Sequence, residues 1–172
     1  MQSPTRLSTK TLTRMALFTT IAFALSSIER MIPTPLPGVK LGLANIVCLF
    51  VLINYGYKDS MIVNASRSIL SAILGGGFSA LIYSLPGGIV SISIMALLIK
   101  VGKNNLSTVA ISTCGSVAHI ITQLSVAIIV TGSVFVLELL PIYTISSVFS
   151  GVSIGMVCYF LGFFARFLQK NP

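Results

Sequence analysis

Arg67 is the only charged side chain between Ser60 and Ile99, in a stretch apolar enough to pass a bilayer twice. A cation at membrane depth costs about 2.5–3.5 kcal/mol on insertion scales, so such residues face a bundle interior or a wet cavity. Its obvious chemistry is the capture of an anion. Downstream, Gly115, His119 and Gln123 are spaced four apart and therefore stack on one helical face. His119 is the chain's one histidine. Without further ligands it cannot hold a metal, and its bland reading is a hydrogen-bonded structural residue. Together with Asn45, Asn64 and Ser84 these side chains are most of what the sequence offers for orienting a polar ligand. Pro86-Gly87-Gly88 opens or kinks span four, and an opening would free the Gly87 and Gly88 amides to bind ligand oxygens.

Acidic residues are scarce: Glu29, Asp59 and Glu138 complete the set, and all fall at the ends of expected spans. Arg67 therefore has no carboxylate at its own depth, which leaves Asn64, backbone carbonyls or an anionic ligand to satisfy it. The same scarcity removes most catalysis. No carboxylate pair can hold Mg²⁺ for diphosphate chemistry, no nucleophile has a base in register, and no glycine-rich loop ends in Lys. The expectation is a non-enzyme without cofactor or metal, any synthase or ATPase activity residing in a partner.

The elements that must position these residues follow from composition. Of 172 residues, 55% are hydrophobic and only 8% charged, with a mean hydropathy of +0.99. Soluble domains carry about a quarter charged residues, so this is an integral membrane protein. The net charge of +8 does not point to nucleic acid, because the basic residues punctuate apolar runs. A cytoplasmic N-terminus puts Arg6, Lys10, Arg14, Lys58, Lys100, Lys103, Arg166 and Lys170 inside and only Arg30 and Lys40 outside, as the positive-inside rule favours. A crossing needs about 20 helical residues. The spans expected are 13–31, 41–57, 60–75, 78–99, 106–131 and 139–165, giving an all-α membrane protein of six transmembrane helices in one bundle, a single domain with both termini cytoplasmic. Gly75–Gly77 is the outer turn between spans three and four, and Gly132–Glu138 that between five and six. Residues 1–27 carry features of a signal peptide, but its loss would leave five crossings and misplace the basic turns, so the segment is read as retained.

Ala16, Thr20 and Ala24 form a stripe of small side chains on span one, and Ser147, Gly151 and Gly155 another on span six. Each suits either packing within the bundle or docking of a partner membrane protein. The first outer loop holds Pro33, Pro35 and Pro37, which stiffen it into a connector or a lid. Cys48, Cys114 and Cys158 lack CxxC spacing and read as small packing residues.

The run Leu36-Pro37-Gly38-Val39-Lys40-Leu41-Gly42-Leu43-Ala44-Asn45 resembles the Gx transporter family of small bacterial membrane proteins, often labelled heptaprenyl diphosphate synthase component I. The likeness continues through Arg67, Ser84-Leu85-Pro86-Gly87-Gly88, Met95 and Gly115…His119…Gln123; where the family pattern has a polar residue after the histidine, this chain has Ile120. Size and topology of that family are similar to the S components of energy-coupling factor (ECF) importers, which bind a vitamin-like solute and dock through helix one onto a transmembrane protein with ATPase subunits. The resemblance thus implies a substrate-binding subunit for a small vitamin-like, quinone-precursor or isoprenoid-related solute in the bacterial plasma membrane. Its ligand contacts would be Arg67, His119, Gln123, Asn45, Ser84, Gly87 and Gly88, and Ala16, Thr20 and Ala24 its docking stripe. The label implies an alternative, a noncatalytic membrane subunit assisting heptaprenyl diphosphate synthesis in the menaquinone pathway.

Overall fold

A computed structural model describes residues 9–31, 42–102 and 105–170. The proline-rich loop and Lys40 lie outside the described residues, as do Arg6 and Lys103. Among the described residues there are six α-helices and no strand: α1 (Thr9–Arg30), α2 (Asn45–Tyr55), α3 (Tyr57–Ser71), α4 (Gly77–Gly102), α5 (Thr108–Thr131) and α6 (Leu140–Lys170). A π-helical turn, Ala72–Gly76, joins α3 to α4, and a 3₁₀ run, Val134–Leu139, precedes α6.

Among the described residues, four stretches are long and apolar enough to cross a membrane: Thr9–Glu29, Gly77–Gly102, Thr108–Thr131 and Val134–Gly162. The expected span 41–57 is shorter in the structure. Helix α2 has 11 residues, about 16 Å at the helical rise and half a bilayer core. It begins at Asn45 because Gly42 takes a left-handed φ of 93°, breaking the helix four residues later than the hydropathy suggests. Gly42 and Ala44 are buried, as irregular backbone at membrane depth must be.

Helix α3 is inside out by the standards of a water-soluble protein. Its buried face carries Ser60, Asn64, Arg67, Ser68 and Ser71 with Val63, while Ile62 and Ile69 are exposed. A surface helix in water turns its apolar stripe inward. Here the polar stripe is inward, which is the arrangement lipid demands. The outward faces of α5 and α6 agree, with Ile129, Phe149 and Phe160 all largely exposed.

Consecutive helices fold back on one another. Gly56, at φ 98°, makes a one-residue bend between α2 and α3, across which the Ser60 hydroxyl donates to the Cys48 carbonyl at 2.8 Å. The expected turn at Gly75–Gly77 is present: Gly77 has a φ of 65°, and Ser68 meets Ser84 (Oγ–Oγ 3.4 Å) as Tyr57 meets Ser93 (3.1 Å) along an antiparallel pair. Gly132 closes α5 in a left-handed cap. Arg14 ion-pairs with Asp59 at 3.4 Å and covers the Tyr55 ring at 3.9 Å, tying the start of α1 to the α2–α3 bend. Exposed Lys10, Lys58 and Lys100 lie at helix ends beside these same turns.

The two small-residue stripes part company. On α6, a Cβ at Gly151 would fall 2.6 Å from the Thr113 Cα and one at Gly155 2.5 Å from the Val109 Cα, so these glycines let α5 and α6 touch backbone to backbone. On α1, Ala16, Thr20 and Ala24 are exposed, and the inward face is instead Met15, Ala22, Ser26 and Glu29. Gly151→Leu is expected to lower stability by about 1–3 kcal/mol through overpacking, whereas Ala16→Leu stays within about 0.5 kcal/mol. Thermal unfolding of the detergent-solubilised protein checks both.

Candidate functional site

Four helices deliver polar side chains to one buried locus, and a fifth, α4, brings glycines to it. From α3, Arg67 is 3% exposed and lies eleven residues beyond the Gly56 bend, roughly 16 Å along the helix axis. Its Nη2 donates to Asn64 Oδ1 at 2.9 Å and its Nη1 to the Ser26 hydroxyl of α1 at 3.1 Å. Among the described residues it has no carboxylate within ion-pair distance. The guanidinium neither reaches a helix end nor leans wholly on main-chain oxygens. It is held by two neutral side chains, each a modest acceptor, with the buried Cys48 thiol of α2 beside it, and among the described residues its Nε has no hydrogen-bond partner.

Helix α4 passes this group at very short range. A Cβ at Gly88 would meet the Asn64 side chain at 2.1–2.5 Å, so only glycine leaves room for it. The neighbouring Gly87 faces α5: a Cβ there would stand 3.1 Å from Gln123 Cγ and from His119 Cε1 and Nδ1. His119 and Gln123, 3% and 0% exposed, do share the face their spacing implied. On the far side of the imidazole, a Cβ at Gly42 would lie 3.8 Å from His119 Cδ2 and 3.0 Å from Asn45 Nδ2. Arg67, Asn64, Gly88, Gly87, His119, Gln123, Gly42 and Asn45 are therefore contiguous.

The opened helix expected at Pro86 is not there. Helix α4 runs unbroken through Pro86, since proline withdraws only its own donor and the surrounding turns persist. Gly87 and Gly88 are helical, and what they bring to the site is the absence of a side chain. Ser84 is buried one turn earlier in α4, where it faces Ser68. Ile120 points into a separate apolar cluster with Tyr83, Leu124, Ala127, Val136 and Tyr143, so a nonpolar residue after the histidine leaves the polar locus untouched.

Ser26, Glu29 and Gly42 were not foreseen. Glu29 is 3% exposed, and its Oε1 accepts the Gly42 backbone N–H, joining the last turn of α1 to the approach to α2. The signal was present: Met15, Ala22 and Glu29 repeat every seven residues, with Ser26 on the same face, opposite the exposed Leu17, Ile21 and Ile28. Cys48 and Cys158 are buried as expected, but Cys114 is exposed. Among the described residues no cluster of His, Cys, Asp or Glu has the makings of a metal site. A cavity of about 310 Å³, lined by Leu52, Ile53, Leu98, Ile99, Gly102, Leu106, Thr108 and Ile111, lies toward the α4–α5 turn and includes none of the polar group.

Fold and site together define a multi-pass helical membrane protein with a polar, cationic locus enclosed by its helices. A family model for heptaprenyl diphosphate synthase component I matches residues 18–161, and the chain belongs to that family. No curated protein and no solved structure matches it.

The fit between Gly88 and Asn64 has a measurable signature. Gly88→Ala must displace Asn64 from Arg67, whereas Asn64→Ala already vacates that space. The two substitutions should be non-additive, with a coupling of about 1–3 kcal/mol in a double-mutant cycle of thermal stability. Additive effects would mean the two helices do not meet there.

Proposed function

We propose that this protein is the membrane-embedded solute-binding subunit of an importer of the ECF S-component kind, working in the bacterial plasma membrane. It crosses six times with both termini cytoplasmic, α2 and α3 completing the four long spans. A small, partly anionic or polar-headed solute, vitamin-like or related to quinone precursors or isoprenoids, enters from the outer side. Arg67 holds its charged group, and Asn45, His119, Gln123 and Ser84 orient the rest, with Gly87 and Gly88 bringing α4 against Asn64, His119 and Gln123. The observation that carries this reading is Arg67: a buried cation held by Ser26 and Asn64 beside the Cys48 thiol, with no carboxylate in reach among the described residues.

Energy for uphill transport would come from ATPase subunits joined through a partner transmembrane protein. The outward-facing Ala16, Thr20 and Ala24 support docking there, since α1 packs inward through its opposite face. The family's description favours a second reading, a noncatalytic membrane subunit that assists a heptaprenyl diphosphate synthase, in which Arg67 meets a lipid diphosphate.

Mass spectrometry of small molecules retained by the purified protein separates the two. The importer reading expects a polar solute bound by the wild type and depleted at least about tenfold in Arg67→Gln, one lost charge-assisted contact being worth about 1.5–3 kcal/mol. A prenyl diphosphate would favour the second reading, and no retained molecule in either preparation would count against both. Affinity purification tests the partner: an ATPase and a second membrane protein should copurify with the wild type and be lost when Ala16 and Ala24 are both changed to Leu. Unchanged recovery would remove α1 as the docking face.

A further inference from the structure

The bundle divides into two three-helix units that meet differently at its two ends. Within the first, Arg67 bonds Ser26 and Arg14 pairs with Asp59 between α3 and α1, and Ser60 ties α3 to α2. Within the second, the Ser91 hydroxyl of α4 donates to the Gly115 carbonyl of α5 at 2.8 Å, and Gly151 and Gly155 bring α6 onto the α5 backbone. Toward the end that carries Lys58 and Lys100 the units share one apolar core, to which the first gives Leu49, Val51 and Val63 and the second Ile92, Met95 and Ile154. The Tyr57 and Ser93 hydroxyls and the bond from the Cys158 thiol to the Ile46 carbonyl also join the units.

At the other end the second apolar cluster, around Tyr83, Leu124 and Tyr143, draws among the described residues on α4, α5, the 3₁₀ run and α6 alone. There the units meet across the polar locus and a stretched Ser68–Ser84 contact of 3.4 Å. The fit is close, with Gly88 against Asn64 and Gly42 against His119, so the locus has no room for a solute in this state. It is also poorly paired. Among the described residues Arg67 Nε, Asn64 Nδ2 and both Nδ2 and Oδ1 of Asn45 have no hydrogen-bond partner, and all belong to the first unit. Buried polar atoms without partners disfavour the closed arrangement, and water would pair them once the units separate. Separation at the basic end would instead open a shared apolar core.

One covalent link must yield. Between α3 and α4 the chain runs through the π-helical turn Ala72–Gly76 and then Gly77, at a left-handed φ of 65°. Short π segments concentrate at functional sites, and glycine tolerates the backbone change that a hinge requires.

We propose that the two units pivot on their shared apolar core and part at the polar end, the structure being the closed state of this device. The parted state admits water to Arg67 and supplies the room that a solute needs; the inference rests on the solute-binding reading only for what enters.

Spin-label pairs read by double electron–electron resonance test the pivot in lipid nanodiscs, in the full-length chain with Cys48, Cys114 and Cys158 each changed to Ala. Ile28→Cys with Ile129→Cys places labels at exposed positions of α1 and α5 toward the polar end, and Lys58→Cys with Lys100→Cys places them on α3 and α4 at the basic end. Without any ligand, the polar-end pair should show two distances and the basic-end pair one. Gly88→Ala, whose added Cβ takes the place of Asn64, should at least about double the share of the longer distance. Asn45→Leu, which removes two unpaired atoms, should lower that share at least about twofold, and it serves if the alanine variant does not fold. One unchanging polar-end distance in the wild type and in the folded variants overturns the pivot, and so do two distances at the basic end. Because no solute is needed, parting in a protein that retains no molecule on purification would uphold this inference while the solute-binding reading fails.

Discussion

Much of this structure depends on keeping one guanidinium inside a bundle of helices that otherwise faces lipid. Arg67 is buried, and the chain supplies it with two neutral acceptors, Asn64 and Ser26. That arrangement fixes three helices at once. Helix α3 must turn its polar stripe inward, α1 must present Ser26 to it, and α4 must come close enough to seal Asn64 in place. A partnered carboxylate would have neutralised the charge and made a structural salt bridge. Neutral partners leave the charge in force, and the proposed function uses it to select an anion.

Glycine is how the locus is assembled. In lipid no hydrophobic drive pulls helices together, so contact must come from close packing and hydrogen bonds. Gly88 admits Asn64, Gly87 admits His119 and Gln123, and Gly42 brings the backbone beside Asn45 and the imidazole. Helix α6 uses glycine for a different end, a backbone contact with α5 at Val109 and Thr113. The exposed small stripe of α1 touches none of this. The polar locus and the α5–α6 contact are thus built on the inward faces, while Ala16, Thr20 and Ala24 stay exposed on α1.

The sequence disclosed most where hydropathy and parity constrain the chain. The long helices and the turns at Gly75–Gly77 and Gly132 are where the apolar runs and basic flanks place them. The convergence of Arg67, His119, Gln123 and Asn45 was legible because few polar residues occur at membrane depth and they must find one another. Three things were not legible. Helix α2 looks like a full span by composition, but Gly42 in a left-handed conformation delays its start, and no hydropathy window sees a dihedral angle. Pro86 suggested an opened helix, but whether a proline kinks or merely interrupts one hydrogen bond depends on packing against neighbouring helices. Glu29 looked like a residue at a water interface, but it is buried where it accepts the Gly42 amide, a contact between segments that residue order alone does not bring together.

The most direct test of this account is an experimental structure of the protein purified from its native membrane without added ligand, at a resolution that shows the Arg67 side chain. The account predicts Arg67 between Asn64 and Ser26, with density for a bound molecule beside the guanidinium. A guanidinium paired with a carboxylate of its own chain, with no molecule beside it, would contradict the account at its root.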